Sequence, residues 1–418
     1  MVFESLPTEL RILILRSLPD EHTLKCLVHA SPVYHDTYGL AKKDILCALV
    51  RRQYGVVGLE EPLAAIHSEG LHAEVACNKG QITTLLDQLR CHRESSLASS
   101  AEVPGTQESI NLLHLHRKLR FLLNAYCARA PCPPGVDPNT WQQNLPLRPS
   151  ATEKARILRA LCRLQTYCNI FGSREWTQER PFDPTISLPC KRASSTWYRN
   201  FTIDRMWSLF FGGMPTWEVE EFGSVWMFIR HEYNNVFAQI TREFPRSDPR
   251  WRALRPNSLP VDPWELHPSP DADDAHDCSI YCNHLVSLGP GFLFKVLTQP
   301  SREDSWRLVI SNSISSKSSF QDLVEVVRDP HPLPTADQIH PEEDLSSVVI
   351  EPSQCWKQHW HDKGVYPRDG ISLPAEESSP SSPQAQDLPV RDLAHFQGWE
   401  WGYAFWDYGR MHCGVQVF

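Results

Sequence analysis

The sequence contains no G-x-S-x-G, no G-x-G-x-x-G and no G-x-x-x-x-G-K-[ST]. The first absence removes the usual nucleophile elbow, and the other two remove the loops that cradle phosphates. None of the 13 cysteines forms a C-x-x-C pair, and an odd, scattered set predicts reduced thiols rather than a disulfide framework. No apolar run approaches the roughly 18 residues that would span a bilayer. Glu4, Glu9, Arg11 and Arg16 interrupt the amino end, which predicts no signal peptide. Positive charge is scarce too: 41 Lys and Arg stand against 50 Asp and Glu, for a net charge of −9. Phosphate binding needs clustered cations, and only short groups such as Arg51-Arg52 and Lys191-Arg192 occur. Neither nucleic acid nor an anionic membrane is an expected partner, and the expected compartment is the cytoplasm or nucleus.

What is present is an ordinary globular composition, 41% hydrophobic and 22% charged, over 418 residues. That length predicts two or three domains, or one large domain with a small appendage. The expected divisions are 1–52, a small helical module; 53–373, a helical body; 374–390, a low-complexity loop; and 391–418, an aromatic closing segment. Strong helical patterns fall at 108–130, 152–171 and 218–244, the last stopped by Pro245. The segment 108–130 is apolar almost all round, which predicts burial among neighbours. Thr152 is the expected start of the second of these helices. Six prolines predict an extended connector over 131–150. A short helix is expected at 320–328, a loop at 94–107 and irregular chain at 245–275. The one plausible strand is 306–310. The fold class is therefore mainly α: a three-helix module followed by an irregular helical array with proline-rich loops.

The amino-terminal residues carry the densest helix punctuation. Leu6-Pro7 opens a first helix, since proline at the first helical position loses no hydrogen bond. Leu10, Leu13, Ile14 and Leu18 mark one face of it, and Ile12 and Leu15 another. Pro19 stops it, and Asp20 can cap the next, which carries Leu24, Leu27 and Val28. Ser31-Pro32 repeats the signal and starts a third helix, with a break expected near Gly39. Three short helices bury only one side of the first, so its second apolar face needs another surface. Each Leu or Ile covered there is worth roughly 1.5–3 kcal/mol.

This pattern resembles the F-box family. The string Leu6-Pro7-Thr8-Glu9-Leu10, then Ile14, Leu15, Leu18 and Pro19, then Leu24, Leu27 and Val28, then Ala30-Ser31 carries the likeness. Ser31-Pro32-Val33-Tyr34 is similar to the form found in fungal F-box proteins. The likeness covers residues 3–50. It departs from the family where Tyr34 or Tyr38 must stand in for a Trp after the Ser. The resemblance implies docking to a Skp-type adaptor and, through it, to a cullin-based ubiquitin ligase, with the rest of the chain receiving a protein substrate. The contacts it implies are Leu6, Pro7, Leu10, Ile14, Leu18, Pro19, Leu24 and Val28. The alternative is a scaffold in which these residues pack on the chain's own later helices.

Catalytic and metal chemistry is weakly signalled. His276, Cys278, Cys282 and His284 fall within nine residues, too tight a run to wrap a zinc tetrahedron unless His359 or His361 completes it. The plainer expectation is a loop, and no cofactor or metal. His231-Glu232 lacks the second His of H-E-x-x-H. Asp271, Asp273, Asp274 and Asp277 lack the Gly and Glu of a calcium loop. Trp399, Trp401, Phe405 and Trp406 could form a recognition surface, although burial that pins the tail is the expected outcome. The chain is expected to hold proteins rather than catalyse, with an unrecognised metal protein or enzyme as the remaining alternative.

Overall fold

The computed structural model describes residues 3–55, 57–94, 104–133, 136–175, 200–212, 214–243, 282, 284–313, 353, 355, 399 and 401–407. Among the described residues there are helices and no strand. In chain order they are α1 (Thr8–Ser17), α2 (Glu21–Ala30), α3 (Pro32–Tyr54), α4 (Glu60–His67), α5 (Lys79–Glu94), α6 (Thr106–Arg129), α7 (Pro138–Gln143), α8 (Ala151–Phe171), α9 (Ile203–Phe210), α10 (Thr216–Glu243), α11 (Pro290–Leu297) and α12 (Arg302–Ser313). Single 3-10 turns add Phe3–Ser5, Ala76–Asn78 and Tyr403–Phe405.

The boundaries follow local chemistry. Asp20 accepts from Thr23 N at 2.8 Å and caps α2. Ser31 accepts from Tyr34 N at 3.4 Å, with Pro32 in the first turn of α3. Pro7 sits at the N-cap of α1 rather than inside it. The kink in α3 comes at Ala41 (φ −122°, ψ 25°), two residues beyond Gly39. At α8 the cap is Ser150, not Thr152: Ser150 Oγ accepts from Glu153 N at 3.1 Å and Glu153 Oε2 accepts from Ser150 N at 2.7 Å. That reciprocal pair satisfies two donors where Thr152 would satisfy one.

Two other expectations are corrected. Residues 306–310 lie inside α12; their apolar run is one side of a helix that begins at Arg302, where Ser301 Oγ accepts from Asp304 N. The proline-rich connector is interrupted by α7, because Asp137 accepts from Thr140 N at 2.8 Å and Pro138 fits the first turn. The expected loops at 94–107, 245–275 and 374–390 and the helix at 320–328 lie wholly or largely outside the described residues.

Two hydrophobic cores share one wall. The larger gathers α4 to α6 and α8 to α12 around α8, which is buried along most of its length. The smaller holds Leu15, Leu24, Val28, Tyr34, Ile45, Leu46, Leu49, Val50 and Tyr54 with Leu112 and Leu113 of α6. Helix α6 thus gives Leu112 and Leu113 to the smaller core and Leu115, Leu119, Leu122 and Leu123 to the larger, as its all-round apolar pattern requires. Tyr54 OH donates to Leu112 O at 2.9 Å across the junction. An amino-terminal unit ending at 52 would cut inside α3 and leave part of its own core behind.

Candidate functional site

Helix α1 lies along α3 and buries one side only. Leu15 is its single buried residue; Ile12, Ile14 and Leu18 are half-buried. Leu10 and Leu13 remain 45% and 56% exposed. At 3.6 residues per turn, Leu10, Leu13 and Ile14 fall within an arc of about 100° on the side away from Leu15. The two apolar faces read from the sequence are thus split, one turned to α3 and one to solvent. Phe3, just ahead of α1, is 71% exposed, and Leu40, beside the kink in α3, is 78% exposed.

The helix is held from both ends. Arg52 of α3 donates to Arg16 O at 2.7 Å and also to Leu18 O, closing carbonyls that the helix end leaves unpaired. Arg11 reaches Val33 O at 3.4 Å, Ser31 Oγ donates to Glu4 Oε1 at 2.6 Å, and Tyr34 OH donates to Phe3 O at 3.4 Å. The apolar face is therefore presented by a fixed backbone.

The eight expected contacts divide into two groups. Pro7, Leu10 and Pro19 are exposed, and Leu6, Ile14 and Leu18 are half-buried. Leu24 and Val28 are buried in the chain's own smaller core and leave the contact set. They stand four apart on the inward stripe of α2, and the same spacing on α1 faces out; periodicity defines a stripe without saying who covers it. Leu13, read as part of the apolar face but not as a contact, belongs to the exposed set.

A second constellation was not anticipated. Three arginines and three glutamates from four helices meet in the larger core. Arg159 reaches Glu221 at 2.7 Å and Glu218 at 2.9 Å. Arg163 reaches Glu218 at 2.6 Å and Glu61 at 2.8 Å, and Arg93 reaches Glu61 at 2.9 Å. Burial pushes the Glu61 carboxyl up, but the Arg163 and Arg93 guanidinium groups outweigh it and hold it at about 2. Glu218 is also held below the usual range: burial opposes, and Arg159 and Arg163 prevail. Glu221 goes the other way, because its burial outweighs Arg159. The charges balance, and the cluster ties α4, α5, α8 and α10 together. Its sequence signal is legible in hindsight: Arg159 and Arg163 are spaced i, i+4 on the buried face of α8, and Glu218 and Glu221 are spaced i, i+3 on α10.

The remaining candidates are placed as follows. Cys282 Sγ donates to Asn234 Oδ1 at 2.8 Å, and His284 Nδ1 lies 3.1 Å from Ser173 Oγ. Burial pushes the His284 imidazole down to about 4. His276, Cys278, His359, His361 and the four aspartates lie outside the described residues. Among the described residues no group of three or more His, Cys, Asp or Glu is arranged to hold a metal ion, and no helix is long and apolar enough to cross a membrane. Trp399, Phe405 and Trp406 are buried and Trp401 partly so. Trp406 stacks on Tyr126 with centroids 5.7 Å apart, and Trp399 donates to Glu220. Asp407 accepts from Arg156 at 2.8 Å, and its backbone N–H donates to Glu153 Oε1 at 3.0 Å. The aromatic segment pins the tail to α6, α8 and α10.

No protein-family model, curated protein or solved structure matches the chain.

Proposed function

We propose that this chain is an F-box-type protein–protein adaptor. It docks through α1 on a Skp-type adaptor of a cullin ubiquitin ligase and receives a protein substrate on its body, in the cytoplasm or nucleus. The observation that carries the reading is the pair Leu10 and Leu13, left in water on a helix whose backbone is already fixed. Covering what remains exposed of both would contribute roughly 1.5–3 kcal/mol. Prior ordering of the helix removes much of the entropy cost of docking. In this reading the chain supplies no bond-making group; rate comes from holding a substrate near an enzyme that the partner complex brings.

The test is co-purification of the full chain with a Skp-type adaptor. Wild-type chain retains the adaptor, and Leu10→Asp/Leu13→Asp loses it while thermal stability falls only slightly, since about half of each side chain already faces water. Equal retention by the double variant would sink the docking claim. A second reading, a non-catalytic helical scaffold, is favoured by one observation: Leu24 and Val28 serve the chain's own core. It predicts that wild-type chain captures no adaptor at all.

A further inference from the structure

A half-open cleft of about 230 Å³ lies between α10, the end of α11 and the start of α12. Its lining includes the apolar side chains of Val236, Leu297 and Trp306 and the side-chain amides of Asn235, Gln239 and Gln299. Two arginines, Arg129 and Arg302, and one carboxylate, Glu232, complete the lining, leaving one positive charge in excess.

The geometry around Glu232 is unusual. Its side chain is 1% exposed, and Oε2 takes Nη2 of Arg129 at 2.7 Å while Arg129 itself stays 49% exposed. The other oxygen, Oε1, is buried and has no hydrogen-bond partner. A half-satisfied buried carboxylate costs stability, and burial pushes Glu232 above its ordinary range in spite of Arg129. A packing role would be met as well by an uncharged residue of the same size. What a carboxylate adds over a neutral acceptor here is a charged clamp on the Arg129 guanidinium. The clamp holds that side chain at the cleft with its remaining N–H groups free to meet a ligand. A free surface arginine would first have to be ordered.

We propose that this cleft binds an extended, neutral-to-acidic protein segment. Arg129 donates to its main-chain carbonyls, an apolar side chain lies against Val236 and Trp306, and Glu232 acts as the positioning residue. The amides of Asn235 and Gln239 offer the same donors and acceptors as a peptide unit, while Gln299 Nε2 already donates to Lys295 O at 2.8 Å. A half-open cleft suits a chain passing across it better than an enclosed small molecule. The excess positive charge disfavours a basic segment. The inference stands on the cleft alone and does not need the adaptor reading; within that reading it is a place where substrate is held.

Full-length protein is panned against a phage-displayed library of random linear peptides, and enriched peptides are measured by fluorescence polarisation. The expected peptides share an apolar residue and are poor in Lys and Arg. Glu232→Gln weakens them by about five-fold, the cost of ordering one long side chain, while its melting temperature holds or rises. Ser305→Trp, which fills the cleft, abolishes binding; should it not fold, Arg129→Ala takes its place with an expected loss greater than that of Glu232→Gln, since the donor itself is gone. Adaptor retention is unchanged in all variants, so failure here is distinct from failure at α1. The proposal is overturned if no linear peptide is enriched, or if the cleft variants bind as wild type does.

Discussion

His116 and His284 are neutral because they are buried. Burial, helped by the nearby Arg120, lowers His116 to about 4, and burial lowers His284 to about 4 as well. In the unfolded chain both take up a proton near pH 6.5; in the fold they do not until about pH 4. Between those values the unfolded state binds more protons, so stability is present above pH 6.5 and is lost as pH falls through that window. At about 1.4 kcal/mol per unit, each imidazole contributes up to roughly 3 kcal/mol of acid sensitivity. Thermal melts from pH 7 to pH 4.5 should fall steeply, and His116→Gln should flatten part of the slope; an unchanged slope would show that His116 is not the group responsible. The Glu61 carboxylate acts at lower pH. Its stabilisation is present above about 4.5 and lost towards about 2, so a second loss below pH 4.5 is expected.

At the scale of elements, α8 is the organising helix, and its charges are its largest risk. Arg163→Met would strand Glu61 and Glu218 with one guanidinium each and should cost about 3–5 kcal/mol in urea unfolding. Ser150→Ala removes one half of the capping box and should cost about 1 kcal/mol. A loss for Arg163→Met no greater than that for Ser150→Ala would mean the cluster is already hydrated. The caps show how far local chemistry is readable: Asp20 and Ser31 are plain from their neighbours, and the long helices follow from 3.6-residue spacing. The same reading places a strand at 306–310 because a five-residue apolar window is too short to separate period 2 from 3.6. It overlooks α7 although Asp137-Pro138 carries the cap-plus-proline signal that marks α3. The exposed face of α1 is half legible. Leu10 and Leu13 declare an apolar stripe, but only packing against α3 decides that Leu15 turns inward while Leu24 and Val28 are consumed at home. The ion cluster shows in the sequence only as spaced Arg and Glu pairs, and its pairing, like the cleft, is not legible, since each unites residues from distant segments that only the fold brings together.

At the scale of the whole molecule, the shared wall makes the two cores interdependent. Residues 1–54 alone lack Leu112 and Leu113 and fall near the size at which a single core is marginal. As an isolated fragment they should show little helix by circular dichroism and no cooperative melt, and the full chain should unfold its amino-terminal helices together with α6. A fragment that melts sharply on its own would refute this coupling. The shared wall also works as a ruler. Leu112, under the amino-terminal module, and Arg129, at the cleft, stand on one uninterrupted helix, about 25 Å apart at 1.5 Å per residue. Cargo seated at one end would meet machinery anchored at the other across a span set by helical pitch, and adding a single residue between them would swing the bearing by about 100°.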